Sequence, residues 1–171
     1  MGCMYSGKST KCVNHYEKMH PTQRVCVINY YHDNRYDDTL LSTHDKVKIP
    51  CIKLLHIKDI IKEKDKYDVF LINEGQFFTD LHDSVIRLVE QHKKDVYIYG
   101  LDSDYKRKPF GQMIDLVPLC TTVTKLYANC HKCKKINSAC FTFRCSNETE
   151  QYLIGSDNYI PLCRECYLNS I

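Results

Sequence analysis

At 171 residues, 43% hydrophobic and 26% charged, the chain has the composition of one globular domain, with room for a small appendage, and not of a disordered or fibrous protein. A net charge of +3 is too small to argue by itself for a nucleic-acid partner, and no apolar run approaches the ~18–20 residues that span a bilayer. Eleven cysteines with no signal-like opening segment point to metal ligation or buried thiols in a cytoplasmic protein rather than to disulfides.

The first ten residues carry the most specific pattern. Gly2-Cys3-Met4-Tyr5-Ser6-Gly7-Lys8-Ser9-Thr10 fits G-x-x-x-x-G-K-[ST], the loop that wraps a nucleotide's phosphates. Glycine at both ends allows backbone geometry in which successive N–H groups turn inward towards anionic oxygens. Lys8 is spaced to reach the β- and γ-phosphates and Ser9 to ligate Mg²⁺. Cys12, Val13, Tyr16 and Met19 recur at helical spacing, so the loop opens a helix whose N-terminal dipole favours the same anion. A glycine turn before an ordinary helix is the plainer alternative. The motif normally follows a buried strand, and only Met1 precedes Gly2. We therefore expect about ten further residues upstream, with an apolar run of ~5–6 forming that strand.

Arg24–Tyr30 reads as a buried strand, followed by the polar loop Asp33–Asp38 at the end where ligands sit in open α/β sheets. Leu54, Leu55, Ile57, Ile60 and Ile61 suggest a helix with Lys62, Glu63 and Lys64 facing water. Tyr67–Ile72 is the next strand, delivering Asn73 and Glu74 to its carboxyl end. Leu81, Val85, Leu88 and Val89 keep helical spacing, and Val96–Tyr99 is a third strand ending at Gly100-Leu101-Asp102. Strand, helix, strand, helix, strand indicates a parallel sheet with right-handed crossovers. A further strand is expected at Val123–Ala128. From Asn129 the character changes: six cysteines follow, and Phe141–Arg144 with Gln151–Ile154 look like the arms of a hairpin. These features divide the chain into an α/β domain over residues 1–128, RecA-like in build, and a zinc-binding lobe over residues 129–171.

Two constellations carry the chemistry. Cys130-His131-Lys132-Cys133 and Cys163-Arg164-Glu165-Cys166 are C-x-x-C pairs, and four thiolates close a structural Zn²⁺ shell with no open position. Redox-active or merely buried cysteines are the alternative, and His131 reads as a spacer. Glu74, just past the apolar run 69–72, suits a general base acting on a hydroxyl that attacks the γ-phosphate. Gly75, Gln76, Phe77 and Phe78 beside it suit the wall of a pocket for a flat ligand.

Gly2–Thr10, Asp33-Asn34-Arg35-Tyr36, Thr43-His44-Asp45, Glu74–Phe78, Leu101-Asp102 with Lys106–Gly111, and the two C-x-x-C pairs occur in this order. Together they strongly resemble the type II thymidine kinases of the cytosolic and poxviral kind, over nearly the whole chain. The Glu-Gly-Gln-Phe-Phe and Arg-Lys-Pro-Phe-Gly stretches are the most specific. The resemblance implies transfer of the γ-phosphate of ATP to the 5′-hydroxyl of thymidine, with Glu74 as the base. It implies ATP and Mg²⁺ held by the loop residues Gly2, Cys3, Met4, Tyr5, Ser6, Gly7, Lys8, Ser9 and Thr10. Asp33, Arg35, Asn73 and Gln76 belong to the same nucleotide side. Met4, Phe77, Leu101, Tyr105 and Phe110 would enclose the nucleoside. Thr142, Leu153, Ile154, Gly155 and Tyr159 would belong to a lasso that closes over the base, tied down by zinc on Cys130, Cys133, Cys163 and Cys166. A homotetramer and feedback inhibition by dTTP are implied by the family alone, with no membrane or nucleic-acid partner. Besides the absent first strand, the chain departs from the family pattern at Tyr105, where Phe is frequent, and at Asn73, where Asp is usual. The Asn73 departure leaves a catalytically impaired nucleotide binder as one alternative. A P-loop ATPase with a nucleic-acid-binding zinc ribbon is another.

Overall fold

A computed structural model describes residues 1–32, 39–42, 47–153 and 158–171. Its centre is a parallel sheet of four strands in the order β4-β1-β5-β6, with β1 at Val25–Tyr30, β4 at Ile52–Leu54, β5 at Val69–Ile72 and β6 at Asp95–Ile98. Ile28 lies opposite both Ile52 and Ile72, and Ile72 opposite Ile98, so the strands end nearly level. Side chains alternate across the pleat. Cys26, Ile28, Phe70 and Ile72 enter one core with Ile57, Ile60, Leu81, Leu88 and Met113. Val27, Val69 and Leu71 enter the other with Cys12 and Val13 of helix α1, Lys8–Met19. Both faces of β1 and β5 are covered, which is why these strands read as continuous apolar runs rather than alternating ones. An antiparallel pair, β2 (Leu40–Ser42) and β3 (Lys48–Pro50), adds Leu41 and Ile49 to the second core.

Four expectations need correction. The helix expected from Leu54 is shorter: Leu54 ends β4, and α2 spans only Lys58–Ile61. Ile52, Lys53 and Leu54 pair with β1, and a free sheet edge overrides the helical spacing of the apolar residues that follow. The helix after β5 runs Leu81–Ile86 (α3) and passes into a π-helical turn over Arg87–Gln91. The wider turn rotates Val89 out to 40% exposure while Leu88 stays fully buried. Residues 123–128 form no regular strand; Leu126 makes a parallel bridge with Gly2, and Ala128 an antiparallel one with Ala139. Finally, β7 (Phe141–Arg144) pairs not with residues 151–154 but with β8 (Tyr159–Leu162). β8 runs straight into Cys163, so this pairing brings the second C-x-x-C pair back to the first, with Cys140 N–H donating to Leu162 O at 3.2 Å.

The carboxyl ends of the strands converge on the phosphate loop. Gly2 N–H donates to Gly100 O at 3.3 Å and Leu126 N–H to Met1 O at 2.8 Å. Beside this bridge runs a cleft of about 570 Å³, between the open edge of β6 at Tyr97 and Ile98 and the segment of Val123 and Thr124. No described helix is long and apolar enough to cross a membrane.

Candidate active site

The phosphate loop has the geometry its glycines foretell. A Cβ on Gly2 would lie 2.4 Å from Leu126 O, so only glycine permits the close approach of the two backbones. Gly7, at φ 79°, turns the chain into α1 in the left-handed region. Among the described residues no side chain caps α1 and no acid lies in its first turn, so the helix presents its first-turn N–H groups and a positive end to an anion. Ser6 Oγ and Lys8 Nζ donate to Cys3 O at 2.8 and 2.7 Å, folding the loop upon itself. Burial pushes the Cys3 thiol up against the opposing pull of Lys8, so it stays protonated, and it donates to Ala139 O at 3.3 Å. The loop is also braced from below. Asp102 and Lys125 form an ion pair at 2.6 Å with Asp102 buried. Burial works against the charge on Lys125, but the Asp102 contact outweighs it and raises its pKa.

Glu74 emerges where β5 ends. It is a non-glycine residue in the left-handed region, φ 54° and ψ 40°, a strained geometry of the kind that gathers at functional sites. The backbone around it is pinned: Asn73 N–H donates to Ile28 O at 2.8 Å and Gly75 N–H to Tyr99 O at 3.0 Å. The buried amide of Gln76 then works in both directions. Its Nε2 donates to Glu74 Oε2 at 2.7 Å, and its Oε1 accepts from Leu101 N–H at 2.9 Å. Asn73 is 2% exposed and donates through Nδ2 to Asn29 Oδ1 at 3.0 Å. Asn73 and Gln76 thus flank Glu74, with Gln76 holding the carboxylate.

Beyond Glu74 stands an aromatic wall. Phe77 stacks on Tyr30 at 5.1 Å and meets Phe110 edge-on at 5.4 Å and Tyr152 at 5.0 Å. The segment after β7 crosses this wall. Met4 N–H donates to Thr142 Oγ1 at 3.0 Å, joining the phosphate loop directly to β7. Tyr159 OH accepts from Leu153 N–H at 2.8 Å and from Arg144 at 2.6 Å. Tyr105 OH donates to Thr149 O at 3.2 Å. The structure therefore brings Met4, Phe77, Leu101, Tyr105, Phe110, Thr142, Leu153 and Tyr159 into one linked neighbourhood. Asp33, Arg35, Ile154 and Gly155, with Thr43, His44 and Asp45, lie outside the described residues.

Two residues that the motifs do not mark prove central. Arg144, 5% exposed, donates to Glu148 O, Glu150 O and Tyr159 OH, and its guanidinium lies 3.8 Å from the centre of the Tyr105 ring. The alternation in Phe141-Thr142-Phe143-Arg144 was the available signal, since it puts Thr142 and Arg144 on one buried face. Tyr152 had no such signal; it sits in an irregular polar segment.

The four cysteines of the two C-x-x-C pairs come together with every pair of sulfurs within 4.8 Å, and Cys133 Sγ lies 3.8 Å from Cys163 Sγ. A tetrahedral ion with Zn–S bonds of ~2.3 Å sets its sulfurs roughly 3.8 Å apart, so the quartet fits zinc. Cys163 N–H donates to Cys130 Sγ at 3.4 Å, the kind of outer support a thiolate ligand receives. His131 is not in the group; its backbone N–H donates to Pro161 O at 2.8 Å. Around the quartet Cys130, Ala128, Ala139, Leu162 and Tyr167 form a small core that also includes Cys3 of the phosphate loop.

A family model described as Thymidine kinase matches residues 1–167. The chain is 39% identical over 177 residues to a thymidine kinase of Oryza sativa subsp. japonica, covering 99% of this chain and 65% of the rice protein. It is 38% identical over 172 residues to the thymidine kinase of Vaccinia virus (strain Western Reserve), covering 99% and 95%, and matches that of Variola virus (isolate Human/India/Ind3/1967) to the same extent. A phosphate loop, a carboxylate just past the end of β5 and a four-thiol cluster thus accompany a family match over residues 1–167, and the chain belongs to the thymidine kinase family.

Proposed function

We propose that the chain transfers the γ-phosphoryl group of ATP to the 5′-hydroxyl of thymidine. The observation that carries this reading is the position of Glu74, its carboxylate held by Gln76 between the phosphate loop bridged to Gly100 and the aromatic wall of Phe77 and Phe110. Lys8 and the N–H groups at the start of α1 hold the β- and γ-phosphates, Lys8 giving up its bond to Cys3 O as they arrive. Ser9 and Asn73 would hold Mg²⁺ and its waters, and the ion would supply neutralisation of charge on the phosphates. Glu74 accepts the proton of the 5′-hydroxyl as its oxygen bonds the γ-phosphorus and the bond to the departing ADP breaks. Positioning and charge supply most of the acceleration. Gln76, bonded to Glu74 and to Leu101 N–H, orients the base and keeps a second amide N–H for the nucleotide side.

Cys130, Cys133, Cys163 and Cys166 hold a structural zinc that ties residues 129–171 into a lobe on the 1–128 domain, fixing both ends of the nucleoside-covering segment. Family membership further supports a cytoplasmic homotetramer inhibited by dTTP. The test is phosphoryl transfer from ATP measured with each of the four deoxynucleosides. Turnover should be greatest with thymidine, and ATP consumption that ignores thymidine would refute the reading.

A further inference from the structure

Residues 144–153 cross the 104–110 segment by a set of specific contacts, and the residue they carry over the site is Tyr152. Its neighbours on both sides are fixed: Gln151 Nε2 donates to Asp104 Oδ2 at 3.3 Å and Leu153 N–H to Tyr159 OH at 2.8 Å. The ring packs 5.0 Å from Phe77 and 6.1 Å from Phe110, centre to centre, while Phe77 and Phe110 meet each other at 5.4 Å. Three rings thus form a cluster, two from the domain and one from the loop. Phe110 is 5% exposed, whereas Tyr152 keeps 47% of its surface open. A ring placed there for packing alone would gain only about half the burial available to it. A ring placed to meet a flat ligand needs one buried flank and one free one, and this is what Tyr152 has.

We propose that Tyr152 is a specificity-determining residue of this site, supplying the loop-side aromatic surface against a pyrimidine base. The proposal rests on the reading of Glu74, Phe77 and Phe110 as the nucleoside site. A single six-membered ring asks for the least room against Tyr152 while Gln151 and Leu153 hold the loop. A purine, with its second ring, has to push Tyr152 off Phe77 and strain both flanking hydrogen bonds. Tyr152 therefore contributes affinity for thymidine and discrimination against purine deoxynucleosides together.

The experiment compares Tyr152→Ala, Tyr152→Phe and Phe77→Leu by equilibrium binding of labelled thymidine and by KM for thymidine and for ATP. Loss of one base–aromatic contact should weaken thymidine binding by roughly 5- to 100-fold in Tyr152→Ala. The ATP KM should stay within about 2-fold, and the kcat/KM advantage of thymidine over deoxyguanosine should shrink by a similar factor. Tyr152→Phe should restore both, since the ring and not the hydroxyl is what counts. If Phe77→Leu weakens thymidine binding and Tyr152→Ala does not, the site stands and the role of Tyr152 is overturned. Tighter thymidine binding in Tyr152→Ala would also overturn it, because the ring would then be an obstruction. If neither substitution changes thymidine binding, the nucleoside-site reading fails and the proposal with it.

Discussion

Replacing Arg144 with Met keeps a long, buried stem and removes the guanidinium, so it isolates what that group does for the loop it anchors. The group donates to Glu148 O at 2.9 Å, to Glu150 O at 2.5 Å and to Tyr159 OH at 2.6 Å. Hydrogen bonds from charged donors contribute roughly 1.5–3 kcal/mol each, and the stacking on Tyr105 adds ~0.5–2 kcal/mol. The two carbonyls and Tyr159 OH regain water once the loop lifts, which removes much of that gross sum. A net loss of about 2 kcal/mol in loop closure is the reasonable remainder. Because the substrate binds the closed arrangement, the thymidine KM should rise up to about 30-fold in Arg144→Met. The ATP KM should change little. Arg144→Lys, which keeps a charge but not the planar fork, should fall between the two. Steady-state kinetics gives the KM split, and limited proteolysis within residues 145–153 reports the lifted loop directly. Wild-type thymidine KM together with wild-type protease resistance in Arg144→Met would refute this account of the loop.

Glu74→Gln preserves the shape and still accepts the Gln76 bond, so turnover should fall roughly 10²- to 10⁴-fold with ATP affinity nearly unchanged; near-normal turnover would mean that the proton leaves by another route. Metal analysis should give one zinc per chain, lost in Cys163→Ser along with thymidine binding; zinc-free protein that binds thymidine normally would contradict the anchoring role. On chelation four further thiols should react, while Cys26, whose burial pushes its pKa up to about 12, should stay silent in folded protein. Asn73→Asp should lower the Mg²⁺ concentration for half-maximal rate, with Asn29 turning its amide to donate where it now accepts; an unchanged Mg²⁺ dependence would make Asn73 a neutral replacement.

The phosphate loop, the neighbouring strands β1, β5 and β6, the carboxylate at the end of β5 and the four thiols that cluster were legible from the sequence. Each is specified by short-range rules: glycine geometry, the length of an apolar run, or a spacing of two between ligands. Family resemblance also named most of the residues now found near one another. What local pattern could not decide was which distant segments pair. Ile52–Leu54 became a strand because β1 offered it an edge, and Tyr159–Leu162 displaced residues 151–154 as the partner of β7 because its end must deliver Cys163 to Cys130. Local pattern also gave no sign that the Gln76 amide bridges Glu74 and Leu101. Arg144 and Tyr152 gain their importance only from what folds against them. Alternation along β7 marks Arg144 as buried but not what it holds; the aromatic partners of the guanidinium and of the Tyr152 ring lie 15 to 75 residues away and meet them only when the chain has closed.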